Sequence, residues 1–252
     1  MISVGLAVAY RTLKKAFTNL SFLLPSLLFP MIFFLGFAGG LSRVDQLPGF
    51  DYSPGYETFQ FAFVLLQSAA MGGVFTGFGI AQDFERGFAR RLLIAAPHRG
   101  GILLGYTLST LVRWLFNISV VFVLGLILGM QVLGNGIDLF GLLVLGLAVN
   151  LVGGLWAAGV ALRLRSLQAG PIMQLPIFLL IFLAPVFVPL DLLTGWIHAV
   201  ASVNPFTAFL EGARSLLAGS TEHVALAFGV AVPLAGVFAL WAVTGLRSAE
   251  RG

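Results

Sequence analysis

The chain has 252 residues, of which 59% are hydrophobic and 10% charged, where soluble domains carry roughly a quarter charged residues. That excludes a soluble globular protein and makes this an integral membrane protein. The formal net charge of +4 is scattered over short loops, so it speaks for membrane topology and contact with anionic lipid head groups and not for nucleic acid, and the absence of cysteine excludes disulfides and thiol catalysis.

At the start of the chain Leu6, Tyr10, Leu13, Phe17 and Leu20 recur at spacings of four and three, with Arg11, Lys14, Lys15 and Thr18 on the other face. The pattern predicts a helix lying in the membrane interface over residues 3–19; a plain cytoplasmic extension of the first span is the alternative. The positive residues follow the first apolar stretch, which does not match a secretory signal. Uncharged runs then cover 17–42, 58–82, 114–136, 139–162, 166–190, 192–210 and 224–246, each near the length of about 20 residues that a membrane-crossing helix needs. Pro25 and Pro30 predict a kink or a broken start in the first run.

The run at 192–210 is the weakest, because it carries His198, Ser202 and the helix-breaking pair Asn204 and Pro205. Six spans are therefore predicted, with both termini in the cytoplasm. Six spans put Arg11, Lys14, Lys15, Arg86, Arg90, Arg91, Arg99, Arg163, Arg165, Arg247 and Arg251 on one side, and only Arg43 and Arg214 on the other. A seventh span would move the C-terminal arginines outside, against the positive-inside rule.

After the outer loop 43–57, the second span carries Gly73 and Gly77, and the third Gly125 and Gly129. Both are small-xxx-small pairs of the kind that lets helices approach closely. Between these spans lies a charged and kinked island, Asp83, Glu85, Arg86, Gly87, Arg90, Arg91, Pro97 and Arg99. Charges are expensive in hydrocarbon, so the island needs water or a protein partner. If it is helical, Phe84, Phe88, Leu92 and Ala95 line one side. A short amphipathic helix of this kind can enter a groove of a soluble partner; a solvated loop whose arginines only fix topology is the other reading.

In the third span Tyr106, Thr110, Arg113 and Asn117 form one polar stripe. Arg113 lies roughly two to three turns in from the cytoplasmic end. It either snorkels to the head groups or makes a buried contact, through Asn150 or Gln174; the buried contact is the reading adopted. On the outer side, Pro185 and Pro189 close the fifth span. Two half-length apolar segments then meet at Asn204 and Pro205, followed by Glu211 and Arg214. Residues 191–219 are predicted to form a re-entrant helical hairpin, with an ordinary amphipathic outer loop as the alternative.

Little in the sequence supports catalysis. The only lysines, Lys14 and Lys15, follow Leu13 and not a glycine, so there is no Walker-type phosphate loop. His98, His198 and His223 are isolated from one another, and no serine stands in a Gly-x-Ser-x-Gly elbow.

The island, with ERG followed by LL and AAPHRG, and the later VNPFTAFLEGARSLLAG before the last span, resemble the permeases of type 2 ABC exporters, among them drug-resistance permeases of the daunorubicin type. The resemblance extends over nearly all of residues 1–252 as a single permease domain. It implies an all-α, six-span transport subunit of the bacterial cytoplasmic (inner) membrane, without enzyme activity or cofactor of its own. The subunit would pair with a second permease copy or a related permease and with two nucleotide-binding ATPase subunits, which would bind ATP and magnesium. In that family the island is the coupling helix, here 83–97. Phe88, Arg90 and Arg91 stand where acidic or small polar residues are commoner. Asn204 and its hairpin would close the outer end of a route for an amphipathic drug, lipid or glycan-type cargo. The rival readings are an ion-gradient-driven secondary transporter, which needs carboxylates within the spans, and a membrane scaffold or assembly protein.

Overall fold

The computed structural model describes residues 1–18, 20–46, 48–96 and 98–251, and among them all regular structure is helical. In chain order the helices are α1 (Ile2–Thr18), α2 (Leu20–Gly40), α3 (Tyr56–Glu85), α4 (Phe88–Ala95), α5 (Gly100–Ile127), α6 (Gly136–Leu164), α7 (Gly170–Phe182), α8 (Gly195–Val203), α9 (Pro205–Ala218) and α10 (Val224–Arg251). By length and composition five segments among the described residues can cross a membrane: Leu27–Gln46, α3, α5, α6 and α10. The apolar stretch Leu167–Phe182 is shorter. Within the predicted span over 166–190 the helix is shorter than the uncharged run: α7 has 13 residues, about 20 Å at 1.5 Å per residue. Its end follows from Pro185, which disfavours helical backbone at the residue before it. The broken start predicted for the first span does not occur, since α2 is one helix through positions 25 and 30. Prolines are tolerated in membrane helices where neighbours and local adjustment satisfy the freed backbone groups.

α3 is the central element and is buried along almost its whole length, with Phe61, Val64 and Leu66 fully enclosed. Its closest neighbour is α6, and the reason is glycine. A Cβ built on Gly73 would stand 2.5 Å from the backbone nitrogen of Gly154, and one on Gly77 2.8 Å from the carbonyl oxygen of Ala157. Without a side chain at those positions the two backbones touch, which maximises dispersion contacts in a solvent as apolar as the side chains. The second predicted pair behaves differently. α5 ends at Ile127, and Gly129 has φ 96 with open space around its Cβ direction, so it makes the turn after the helix and brings no helices together.

α1 packs on α5, Val8 lying against Gly105. Leu6, Tyr10 and Phe17 are exposed, as an apolar face turned to lipid would be, while Arg11 and Lys15 reach α3. α6 and α10 are locked at their C-terminal ends by Arg163. Its guanidinium donates to the carbonyls of Gly159 (2.7 Å) and Trp241 (2.9 Å) and to the Thr244 hydroxyl (2.6 Å), and lies 3.5 Å over the Trp241 ring.

Candidate functional site

Two features of the basic end of the bundle carry chemistry: the island after α3 and a cavity above it. α3 stops because Gly87 adopts φ 68, a left-handed backbone that glycine takes without steric cost. The turn changes the helical phase, and the continuous stripe predicted for Phe84, Phe88, Leu92 and Ala95 does not form: Phe84 stays on α3 and Ala95 is exposed. α4 instead buries Ala89 and Leu93 and half-buries Phe88 and Leu92. Arg90, Arg91 and Ile94 face outward, Ile94 with 86% of its surface accessible. Arg86 is also exposed and Gly87 half-buried, whereas Pro97 lies outside the described residues.

Two members of the predicted coupling set are engaged within the chain. Asp83 is 3% exposed. Arg11 holds it by two bonds, Nη1 to Oδ2 at 2.9 Å and Nη2 to Oδ1 at 3.2 Å, and the Tyr106 hydroxyl donates to Oδ2 at 2.6 Å. Lys15 donates to Gln82 Oε1 at 2.5 Å, and the Arg11 guanidinium lies 3.5 Å over the Phe88 ring. The hydrogen bond to Asp83 raises the Arg11 pKa above its ordinary value against the opposing cost of burial, and burial lowers that of Lys15. Asp83 is therefore a latch that ties α1, α3 and α5 together, not a surface contact. Glu85 is exposed, yet its Oε1 accepts from the Ser166 hydroxyl (3.0 Å) and the Leu167 backbone N–H (2.8 Å). It binds the end of α3 to the connection between α6 and α7.

Above the latch, α1, α3, α5 and α7 line a half-open cavity of about 360 Å³, with Lys15, Phe75, Gln82, Tyr106, Arg113 and Gln174 among its wall residues. The polar stripe of α5 faces inward: Tyr106, Thr110 and Asn117 are buried. Arg113 and Thr110 both donate to the Gly72 carbonyl at 2.9 Å. The partner of Arg113 is thus that carbonyl, and neither Asn150 nor Gln174. Asn150 is fully buried and donates to the Ala69 carbonyl at 2.8 Å, and the half-buried Gln174 shares the cavity wall. The placement within two to three turns of the helix end is also corrected. α5 begins at Gly100, which puts Arg113 about 20 Å along the helix, near its middle. A snorkelling side chain does not cover that distance.

At the opposite end, Asn204 ends α8 and starts α9: its Oδ1 accepts from Phe206 N–H (2.9 Å), its Nδ2 donates to the Leu180 carbonyl (2.7 Å), and Pro205 fills the first helical position. α8 has 9 residues and α9 has 14, both too short to cross. Arg214 is 2% exposed; it donates to Glu211 (2.8 Å) and to the Pro185 carbonyl (2.9 Å), with its guanidinium 3.3 Å over the Phe59 ring. Pro185 is buried beneath α9, and Pro189 precedes the short turn Leu190–Leu192. Tyr106 belongs to the polar stripe read from the sequence, whereas Arg11, Ser166 and Arg163 were not among the site residues it singled out. The available signal was the i, i+4 spacing of Arg11 and Lys15.

The ABC-2 type transporter family pattern matches residues 3–218. The chain is also similar to a protein of Streptomyces coeruleorubidus named daunorubicin resistance ABC transporter permease protein DrrB1, with 26% identity over 226 residues, covering 86% of this chain and 76% of that protein. With a family match across the island, the cavity and the paired short helices, and with helices long enough to span a bilayer, the chain belongs to the ABC-2 type transporter family as a multi-pass membrane permease.

Proposed function

We propose that this chain is the transmembrane subunit of an ATP-driven exporter, with α4 as the surface on which a separate ATPase subunit docks. The observation that carries the reading is the outward face of α4, Arg90, Arg91 and Ile94, on a helix anchored by buried Ala89 and Leu93. Movement of α4 would reach the bundle along two connections: Phe88 to Arg11 on α1, and, through the adjoining end of α3, Glu85 to the connection between α6 and α7.

In this reading the basic end faces the cytoplasm with both termini, and α7 with its flanking residues is the sixth membrane element. Two ATPase subunits supply the bound ATP and magnesium, and a second permease pairs with this one. The cargo is an amphipathic molecule, in line with the drug-resistance name of the Streptomyces relative. Reversing charge with the double variant Arg90→Glu, Arg91→Glu is expected to weaken co-purification with the ATPase subunit about tenfold, equivalent to about 1.4 kcal/mol. The thermal stability of the permease itself should not change, because both side chains are exposed. Undiminished association would overturn the assignment of α4.

The two short helices α8 and α9 enter and leave the outer leaflet on the same side. The exposed residues Thr194 and Thr221 test this in a chain without native cysteine. Thr194→Cys and Thr221→Cys are both expected to react with an impermeant maleimide added outside. Labelling of Thr221→Cys only from the cytoplasmic side would make the segment a span.

A further inference from the structure

The cavity contains a cation with no acid to answer it. Arg113 lies near the middle of α5, and its hydrogen bond among the described residues is to the Gly72 carbonyl, a neutral acceptor. The acid in the cavity wall, Asp83, is already held by Arg11 and Tyr106. An arginine at this depth is expensive unless its charge is met, and one carbonyl leaves most of the guanidinium donors unused. The surrounding walls are mainly apolar, with Phe75, Phe78, Leu13 and Ala16 among them.

We propose that this cavity is a binding site for an amphiphile with an anionic head group, a phosphate, sulfate or carboxylate on an apolar body. Arg113 holds the head group bidentately, as the planar guanidinium fork does with two oxygens of a carboxylate or phosphate, and Phe75 and Phe78 flank the apolar body. Arg113 keeps its bond to Gly72, so the head group docks on a guanidinium already fixed in orientation. The site names a cargo class for the export reading above and rests on it in that respect. Binding itself belongs to this chain alone and needs no ATPase subunit.

The test uses the purified full-length permease in neutral maltoside micelles, without the ATPase subunit, and radiolabelled decyl phosphate measured by equilibrium dialysis. Saturable binding is expected, with at least a tenfold loss of affinity in Arg113→Gln and a smaller loss in Arg113→Lys, which keeps the charge and loses the fork. Should Arg113→Gln fail to fold, Gly79→Leu carries the test. Gly79 lines the cavity, and nothing lies within 4 Å of a Cβ built there, so a leucine side chain starts into open space on the cavity side and is expected to lower binding by a similar factor.

Decyltrimethylammonium should not compete, and inorganic phosphate should compete only at far higher concentration. Equal binding of the ammonium compound, full binding by Arg113→Gln or Gly79→Leu, or displacement by inorganic phosphate at the concentration of the alkyl phosphate would each overturn the proposal. A permease that binds decyl phosphate but fails to associate with its ATPase subunit would refute the export reading and leave the site standing.

Discussion

Arg11→Leu is expected to destabilise the solubilised protein by about 3 kcal/mol, at the lower end of what breaking a buried ion pair costs. The substitution leaves the Asp83 carboxylate, with a side chain only 4% exposed, bonded to the Tyr106 hydroxyl and near the Lys15 charge, without its guanidinium partner. The value lies at the lower end because the Arg11 side chain is itself 37% exposed, so part of the pairing is screened by solvent. Asp83→Asn should cost less, about 1–2 kcal/mol, since an amide oxygen still accepts from Tyr106 and Arg11. Thermal unfolding in mild detergent measures both, and the double variant should show coupling of 0.5–3 kcal/mol or so between neighbouring sites. Equal, small losses for the two single variants would mean that α1 is held by its contacts with α5 and that the latch adds nothing. If α1 is released by Arg11→Leu, proteolysis near residue 18 should rise with it, because a helix without its tether opens locally.

The second large effect concerns Gly73. A side chain there meets backbone, with Gly154 N at 2.5 Å and Gly153 C at 2.9 Å from the Cβ position, and backbone cannot rotate away as a side chain end can. Gly73→Ala should therefore cost about 2–3 kcal/mol, at the upper end of ordinary overpacking, even though alanine is the better helix former. Gly73→Leu should prevent the native packing of α3 against α6, seen as loss of the monodisperse peak in size-exclusion chromatography. The same turn of α3 carries the Gly72 carbonyl that Thr110 and Arg113 share and the Ala69 carbonyl that Asn150 binds, so moving it disturbs three helices at once. Gly79→Ala supplies the opposite sign: with open space at its Cβ, it should be neutral or stabilising by up to about 1 kcal/mol through helix propensity. A neutral Gly73→Ala would show that the α3 and α6 backbones are less closely apposed than their geometry indicates.

Much of this protein could be read from local order along the chain. Apolar runs far longer than a soluble helix needs place it in the membrane, Asn204 and Pro205 mark where one helix stops and the next starts, and the spacing of Tyr106, Thr110, Arg113 and Asn117 puts them on one inward stripe. These features depend on residues within a turn or two of each other, where helix geometry alone decides which share a face. The destination of each polar group was a different matter. Asp83 reads as part of a charged surface until Arg11, 72 residues away, closes on it. Glu85 reads as free until the N–H of Leu167 meets it, 82 residues on. Arg113 finds a backbone carbonyl 41 residues away, and a carbonyl carries no mark in a sequence. Hydrophobic length and helical phase are properties of a segment, whereas the pairing of a buried charge depends on which segments pack together. That packing rests on the close approach allowed at a few glycines and on the requirement that buried polar groups find partners.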